Sequence, residues 1–133
     1  MAELSDGARE LLSRPIPGWL TTVRADGTPH TTVLWVDVDG DDVICNTAVG
    51  RLKEKILRNN PHVSIAVLDP EDTHHLVSVS GIATLEQEGA VEMSDRLAKK
   101  YLGVEVHPGR TPDQVRVTVR VRPTHVVYDG GRP

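Results

Sequence analysis

The chain has 133 residues, 38% of them hydrophobic and 26% charged, with 15 Lys and Arg against 19 Asp and Glu and a formal net charge of −4. That length is one domain, 1–133, and folding it buries roughly two-thirds of its accessible surface, enough for a core without disulfides or metal. No apolar run approaches the roughly 20 residues of a membrane span. The acidic balance, with two Trp, two Tyr and no Phe, offers little to nucleic acid. The one cysteine, Cys45, excludes a disulfide framework and a multi-cysteine zinc cluster. Met-Ala-Glu-Leu-Ser-Asp-Gly has neither the basic start nor the apolar stretch of a signal peptide, so a reduced, cytoplasmic protein is expected.

In chain order, residues 5–14 read as a short helix. Ser5 caps it, Ala8, Leu11 and Leu12 recur at i, i+3 and i+4, and Pro15 and Pro17 stop it. A strand follows over 19–24, and the turn Ala25-Asp26-Gly27-Thr28-Pro29 leads into a second over 30–38. Asp39-Gly40 turns the chain into a third over 42–47, so this stretch reads as a β-meander. The acidic run Asp37-Val38-Asp39-Gly40-Asp41-Asp42 has its glycine at the fourth position, not the sixth that a calcium loop needs, and hairpin chemistry accounts for it.

Over 50–60 the period lengthens. Leu52, Ile56 and Leu57 mark a helical face that Pro61 ends. A strand over 62–68, a polar loop over 69–74 and a long strand over 76–85 come next, followed by a helix over 89–102 with Val91, Leu97, Ala98 and Tyr101 or Leu102 inward. After a loop over 103–113, Val115, Val117, Val119 and Val121 alternate with Arg116, Thr118, Arg120 and Arg122, the pattern of a half-exposed strand, and 126–128 form a short last one. Short antiparallel strands with a few short helices between them make a mainly β, α+β chain and suggest a small closed barrel.

The strongest chemical feature is Asn46-Thr47-Ala48-Val49-Gly50-Arg51-Leu52-Lys53-Glu54-Lys55, between a strand end and a helix start. A helix N-terminus presents unpaired N–H groups and a positive dipole end, which together suit an anion such as phosphate. Thr47 adds a hydroxyl, Gly50 lets the backbone turn, and Arg51 and Lys53 bring full charges to the same place. Arg51, Lys55 and Arg58 then share one stripe at i, i+4 and i+7. A solvated basic helix face with Glu54 and Arg58 paired explains the same spacing, and both readings stay open on pattern alone. The six histidines show no metal-ligand spacing. Cys45 sits mid-strand as a small hydrophobe. Neither a G-x-S-x-G elbow nor a G-x-G-x-x-G loop occurs, so hydrolase machinery and a Rossmann nucleotide site are excluded.

Several of these segments form an ordered set: Asp26-Gly27-Thr28-Pro29-His30, Val33-Leu34-Trp35-Val36-Asp37, Asn46-Thr47-Ala48 with Gly50-Arg51-Leu52-Lys53, Asn59-Asn60-Pro61-His62-Val63-Ser64, Leu68-Asp69-Pro70 and Val79-Ser80-Gly81-Ile82-Ala83. With them the chain resembles the flavin/deazaflavin split β-barrel superfamily over nearly its whole length. Within it the resemblance is nearest to the actinobacterial, pyridoxamine-phosphate-oxidase-like group that uses coenzyme F420.

The resemblance implies a split-barrel homodimer, FMN-binding-protein-like in fold, with cofactor sites at the subunit interface. It implies that Arg51, Lys53, Thr47 and Gly50 hold the cofactor phosphate and that Pro29, Thr31 and Val33 border the ring. Lys55 and Arg58 are then available to the acidic tail that F420 has and FMN lacks. The implied activity is an F420-dependent reductase passing hydride to a conjugated small molecule, with no catalytic side chain. An FMN flavoprotein and a non-catalytic cofactor carrier are the alternatives. His74-His75-Leu76 stands where many relatives carry an aromatic residue. The chain ends at Pro133, short of the C-terminal part that holds the substrate residues of true pyridoxamine-phosphate oxidases, so vitamin B6 oxidation is not expected.

Overall fold

Backbone hydrogen bonds assemble seven strands into one antiparallel sheet in the computed structural model, which describes residues 2–132. The elements are α1 (Asp6–Ser13), β1 (Gly18–Val23), β2 (Pro29–Leu34), β3 (Asp37–Asp39), β4 (Asp42–Ala48), α2 (Leu52–Asn59), β5 (His62–Leu68), β6 (His75–Glu86), α3 (Ala90–Leu102) and β7 (Arg116–Gly130). Strand order is β2-β1-β5-β6-β7-β4-β3.

That order requires the sheet to roll. Its two edges, β2 and β3, are joined by Trp35 and Val36 alone. Three Cα–Cα steps span at most about 11 Å, whereas six inter-strand spacings in a flat sheet cover about 29 Å. The edges therefore meet, and the sheet is the expected split β-barrel.

The expected strand over 30–38 is in fact two strands at opposite edges, so the first three expected strands are not a meander. The break falls where side chains of α3 take over the backbone groups of Val36. Its N–H donates to the Tyr101 hydroxyl at 3.1 Å, and that hydroxyl donates to the Ile16 carbonyl at 2.7 Å. The Lys100 ammonium donates to the Val36 carbonyl at 2.6 Å and to the Leu12 carbonyl at 3.0 Å.

The segments expected separately at 115–122 and 126–128 are one strand. Its register slips between Ser80↔His125 and Gly81↔Pro123, so Thr124 bulges and Pro123 needs no ladder donor. Gly81 makes this possible, because a Cβ there would collide with the Arg122 carbonyl.

The barrel is filled by Leu20, Val43, Cys45, Ile65, Val67, Val77, Val79, Val119 and Val121, and α1 closes one end with Ala8, Leu11 and Leu12. Ser5 caps α1 as expected, its hydroxyl accepting from the Ala8 N–H at 3.2 Å. Burial holds the Cys45 thiol up at about 12, so it is inert packing. The half-exposed expectation for the last strand needs correction at its start. α3 packs against β7, where Arg116 and Thr118 are buried, while Val117, Val119 and Val121 alternate with them toward the opposite face, that of the barrel interior.

Candidate functional site

A cleft of about 300 Å³ opens between the β2–β3 break, the start of α2, α3 and the start of β7. Val33, Leu34, Trp35 and Leu97 form its apolar wall, and Arg51, Lys53 and Arg116 line it with positive charge. Asn46, Ser94 and His107 complete the lining. Tyr101 backs Trp35, the rings stacked at 5.3 Å and 12°, while His107 lies tilted against Trp35 at 5.3 Å. The strand break fixed by Val36 thus also sets the indole at the cleft.

The electrostatics are one-sided. Among the described residues, no carboxylate forms an ion pair with Arg51, Lys53 or Arg116, the three cations that line the cleft; Arg9, Arg14, Arg58, Arg96, Arg110 and Arg120 each have an acidic partner, and Arg24, Lys55, Arg122 and Arg132, outside the cleft, have none. Burial, with Arg51 and Arg116 nearby, holds the Lys53 ammonium below the ordinary lysine value of 10.5. Burial and then the neighbouring Arg51 and Arg110 push the Arg116 guanidinium the same way. Burial and Arg116 lower the His107 imidazole, and its Nδ1 accepts from the Gly109 N–H at 3.0 Å. That bond places the neutral ring's own proton on Nε2.

The structure brings Val33, Arg51 and Lys53 of the sequence-derived set into this cleft and leaves the others outside it. Pro29 and Thr31 share the exposed face of edge strand β2 with Val33, and the Thr31 and Thr21 hydroxyls share a hydrogen bond at 2.9 Å. Thr47 is buried with its Oγ1 unpartnered and does not line the cleft. Strand alternation puts it on the face of Val43 and Cys45, opposite Asn46.

One backbone donor of the expected anion segment, that of Gly50, is already engaged, while no side chain caps the first turn of α2. Gly50 turns the chain at φ +95°, and its N–H donates to the buried Glu54 carboxylate at 2.8 Å. Glu54 also holds Arg58, and together the Gly50 and Arg58 bonds keep its carboxyl below the usual carboxylate range. Arg58 is thus engaged, while Lys55 faces solvent on the outer side of α2. His75 lies outside the cleft, held by the Asp69 carboxylate at 2.9 Å and the Tyr128 hydroxyl at 3.2 Å.

Asn46 entered the sequence reading only as the start of the anion segment. Arg116, Ser94, Leu97 and His107 were missed because they come from elements about 40 to 70 residues away in sequence, and tertiary packing alone brings them to the cleft. The one available signal was Arg116 itself, a charge interrupting a run of valines.

A split β-barrel with a cation-lined, aromatic-backed cleft defines the class. The chain belongs to the pyridoxamine 5'-phosphate oxidase family, whose sequence profile matches residues 4–128. Among solved structures it is similar to an F420 reductase, with 30% identity and a TM-score of 0.82 over 92% of this chain and 98% of that one. It is also similar to the conserved hypothetical protein Rv2991 from Mycobacterium tuberculosis, with 26% identity and a TM-score of 0.72 over 98% and 86% of the two chains. General Stress Protein 26 from Bacillus anthracis str. Sterne shares the fold, with 20% identity and a TM-score of 0.72 over 96% and 94%. No curated protein sequence matches the chain. No helix among the described residues is long and apolar enough to cross a membrane.

Proposed function

We propose that the protein is an F420-dependent oxidoreductase acting on a conjugated small molecule. The observation that carries this reading is the pairing, in one cleft, of cations lacking counter-ions with an apolar wall backed by Trp35. Family membership and the F420 reductase neighbour support the oxidoreductase class. The residues fit a phosphate-bearing, flat-ringed group. Arg51 and Lys53 hold its phosphate by charge-assisted hydrogen bonds. Val33, Leu34 and Leu97 exclude water from the ring, and the exposed β2 face with Pro29 and Thr31 borders it. When bound, reduced F420 supplies the hydride, and the chain supplies position, dryness and charge.

One wall is left open, and a second copy of the chain closes it. Across the outer sheet face, Val33, Trp19, Ala66, Ser78 and Val127 lie in register. Trp19 is 53% exposed and Val127 62%. A row of apolar and small side chains continuous with the cleft at Val33 suits a homodimer interface. Sedimentation is expected to give a dimer, with Trp19→Glu monomeric and weakened in cofactor binding. A monomeric parent protein removes the interface.

The pairing of Arg58 with Glu54 favours FMN as the second reading, because it leaves Lys55 alone for an acidic tail. Side-by-side titration with F420 and FMN, followed by quenching of Trp19 and Trp35, separates the two. Micromolar or tighter F420 binding, weakened by Lys55→Glu, with poor FMN binding is the expected result. The reverse order makes the protein a flavoprotein. Saturable oxidation of reduced cofactor by enones or quinones excludes a pure carrier.

A further inference from the structure

We propose that Arg116 is the third arm of an anion site with Arg51 and Lys53, held in place by Asn46, and that the three together hold a phosphate-type group in preference to a simple inorganic monoanion such as nitrate. This rests on the cleft as a phosphate site and extends it to a residue on the opposite wall, from the last strand.

Arg116 is 5% exposed and is the one buried arginine among the described residues. Its Nε donates to Asn46 Oδ1 at 2.9 Å and its Nη1 to Gln114 Oε1 at 3.3 Å, both neutral acceptors. Arginine stays charged in proteins, and a buried ion without a counter-charge is strongly unfavourable. The fold nonetheless fixes it. Asn46 Nδ2 donates to the Ala90 carbonyl at 2.9 Å, which turns the amide oxygen toward Arg116. With Nε and Nη1 engaged, Nη2 is the guanidinium nitrogen without a partner among the described residues, and Arg116 lines the cleft. A preorganised donor loses little entropy on binding. Arg51 and Lys53 share the cleft with it and likewise have no acidic partner among the described residues, so an anionic ligand group relieves a local excess of positive charge. Burial first, and then Arg51 and Arg116 for Lys53 and Arg51 and Arg110 for Arg116, lower both cations, in agreement with that excess.

The test uses inorganic phosphate, which needs no ring. The wild type is expected to show a saturable rise in Tm with sodium phosphate, and no comparable rise with sodium chloride or nitrate at matched ionic strength. Arg116→Gln should bind phosphate about 10- to 100-fold more weakly, the worth of one hydrogen bond to a charged group. Arg116→Lys should recover part of the loss. Equal stabilisation by nitrate overturns the preference for a phosphate-type group, and an Arg116→Gln affinity within about threefold of wild type, well under one charged hydrogen bond, overturns the role of Arg116.

If Arg116→Gln does not fold, the wild type decides the matter. The ¹⁵N resonances of the Arg116 side chain should move with the same phosphate midpoint, and resonances that stay put overturn the proposal. Failure of the cofactor reading is distinguishable from failure here. Phosphate binding without F420 or FMN binding removes the former alone, and cofactor binding indifferent to Arg116→Gln removes the latter alone.

Discussion

The double variant Arg51→Gln, Lys53→Gln is expected to bind its cofactor about 100- to 10,000-fold more weakly, two charge-assisted hydrogen bonds at about 1.5–3 kcal/mol each. Neither side chain makes a hydrogen bond or ion pair with another described residue, so the loss should fall on binding and leave the folded chain intact. Tryptophan quenching measures the first and a urea midpoint the second. Salt gives a second axis, since the wild-type affinity should fall with ionic strength more steeply than that of the double variant.

A pH arm follows from the sign of the Lys53 shift. Its ammonium titrates below the ordinary 10.5 in the free protein. Binding by the charged form is therefore lost on the alkaline side at a lower pH than for an ordinary lysine. An affinity within about tenfold of wild type in the double variant, about 1.4 kcal/mol and less than one such bond, takes the phosphate out of this cleft.

What could be read in advance was whatever local sequence chemistry controls. Ser5 with the Ala8, Leu11 and Leu12 stripe, the Asp39-Gly40 turn and the alternating valines of 117–121 each became the element their period implies. The second strand failed because its interruption is written elsewhere. Trp35 and Val36 are as strand-like as their neighbours, and it is Lys100 and Tyr101, more than 60 residues later, that take the Val36 backbone groups out of the ladder. That same break decides that β2 and β3 are opposite edges and so closes the barrel.

The anion site was half legible for a related reason. Arg51 and Lys53 announce themselves beside Gly50, but whether Gly50 offers its N–H to a ligand or to Glu54 depends on side-chain reach, which spacing does not settle. Arg116 looked like one more solvent-facing arginine until α3 was seen to cover it.

Lys100→Met is expected to destabilise the protein by about 1–3 kcal/mol, since it leaves the buried Leu12 carbonyl without its side-chain donor and the Val36 carbonyl with the Tyr101 hydroxyl at 3.1 Å in place of two donors. Asp37 loses one of two cationic partners at the same time, keeping Arg96 at 3.2 Å. The matched control is Lys99→Met, one residue away, whose ion pair with Glu105 is largely exposed and should change stability by less than about 0.5 kcal/mol.

Burial lowers the Lys100 ammonium in the folded chain from its ordinary 10.5, against the opposing pull of Asp37. The unfolded chain therefore keeps its proton to higher pH, and this residue's contribution to stability rises as pH climbs from the folded value toward 10.5. Lys100→Met should remove that rise along with the stability. An urea midpoint equal to that of Lys99→Met would mean that Val36 is held without Lys100.

The functional consequence is separable. Lys100 does not line the cleft, yet its ammonium stands 5.0 Å from the Tyr101 ring that stacks on Trp35. Loosening Val36 frees the indole from its stacked position, so the near-ultraviolet dichroism of Trp35 and the affinity for a flat-ringed cofactor should weaken together, while stabilisation by inorganic phosphate persists.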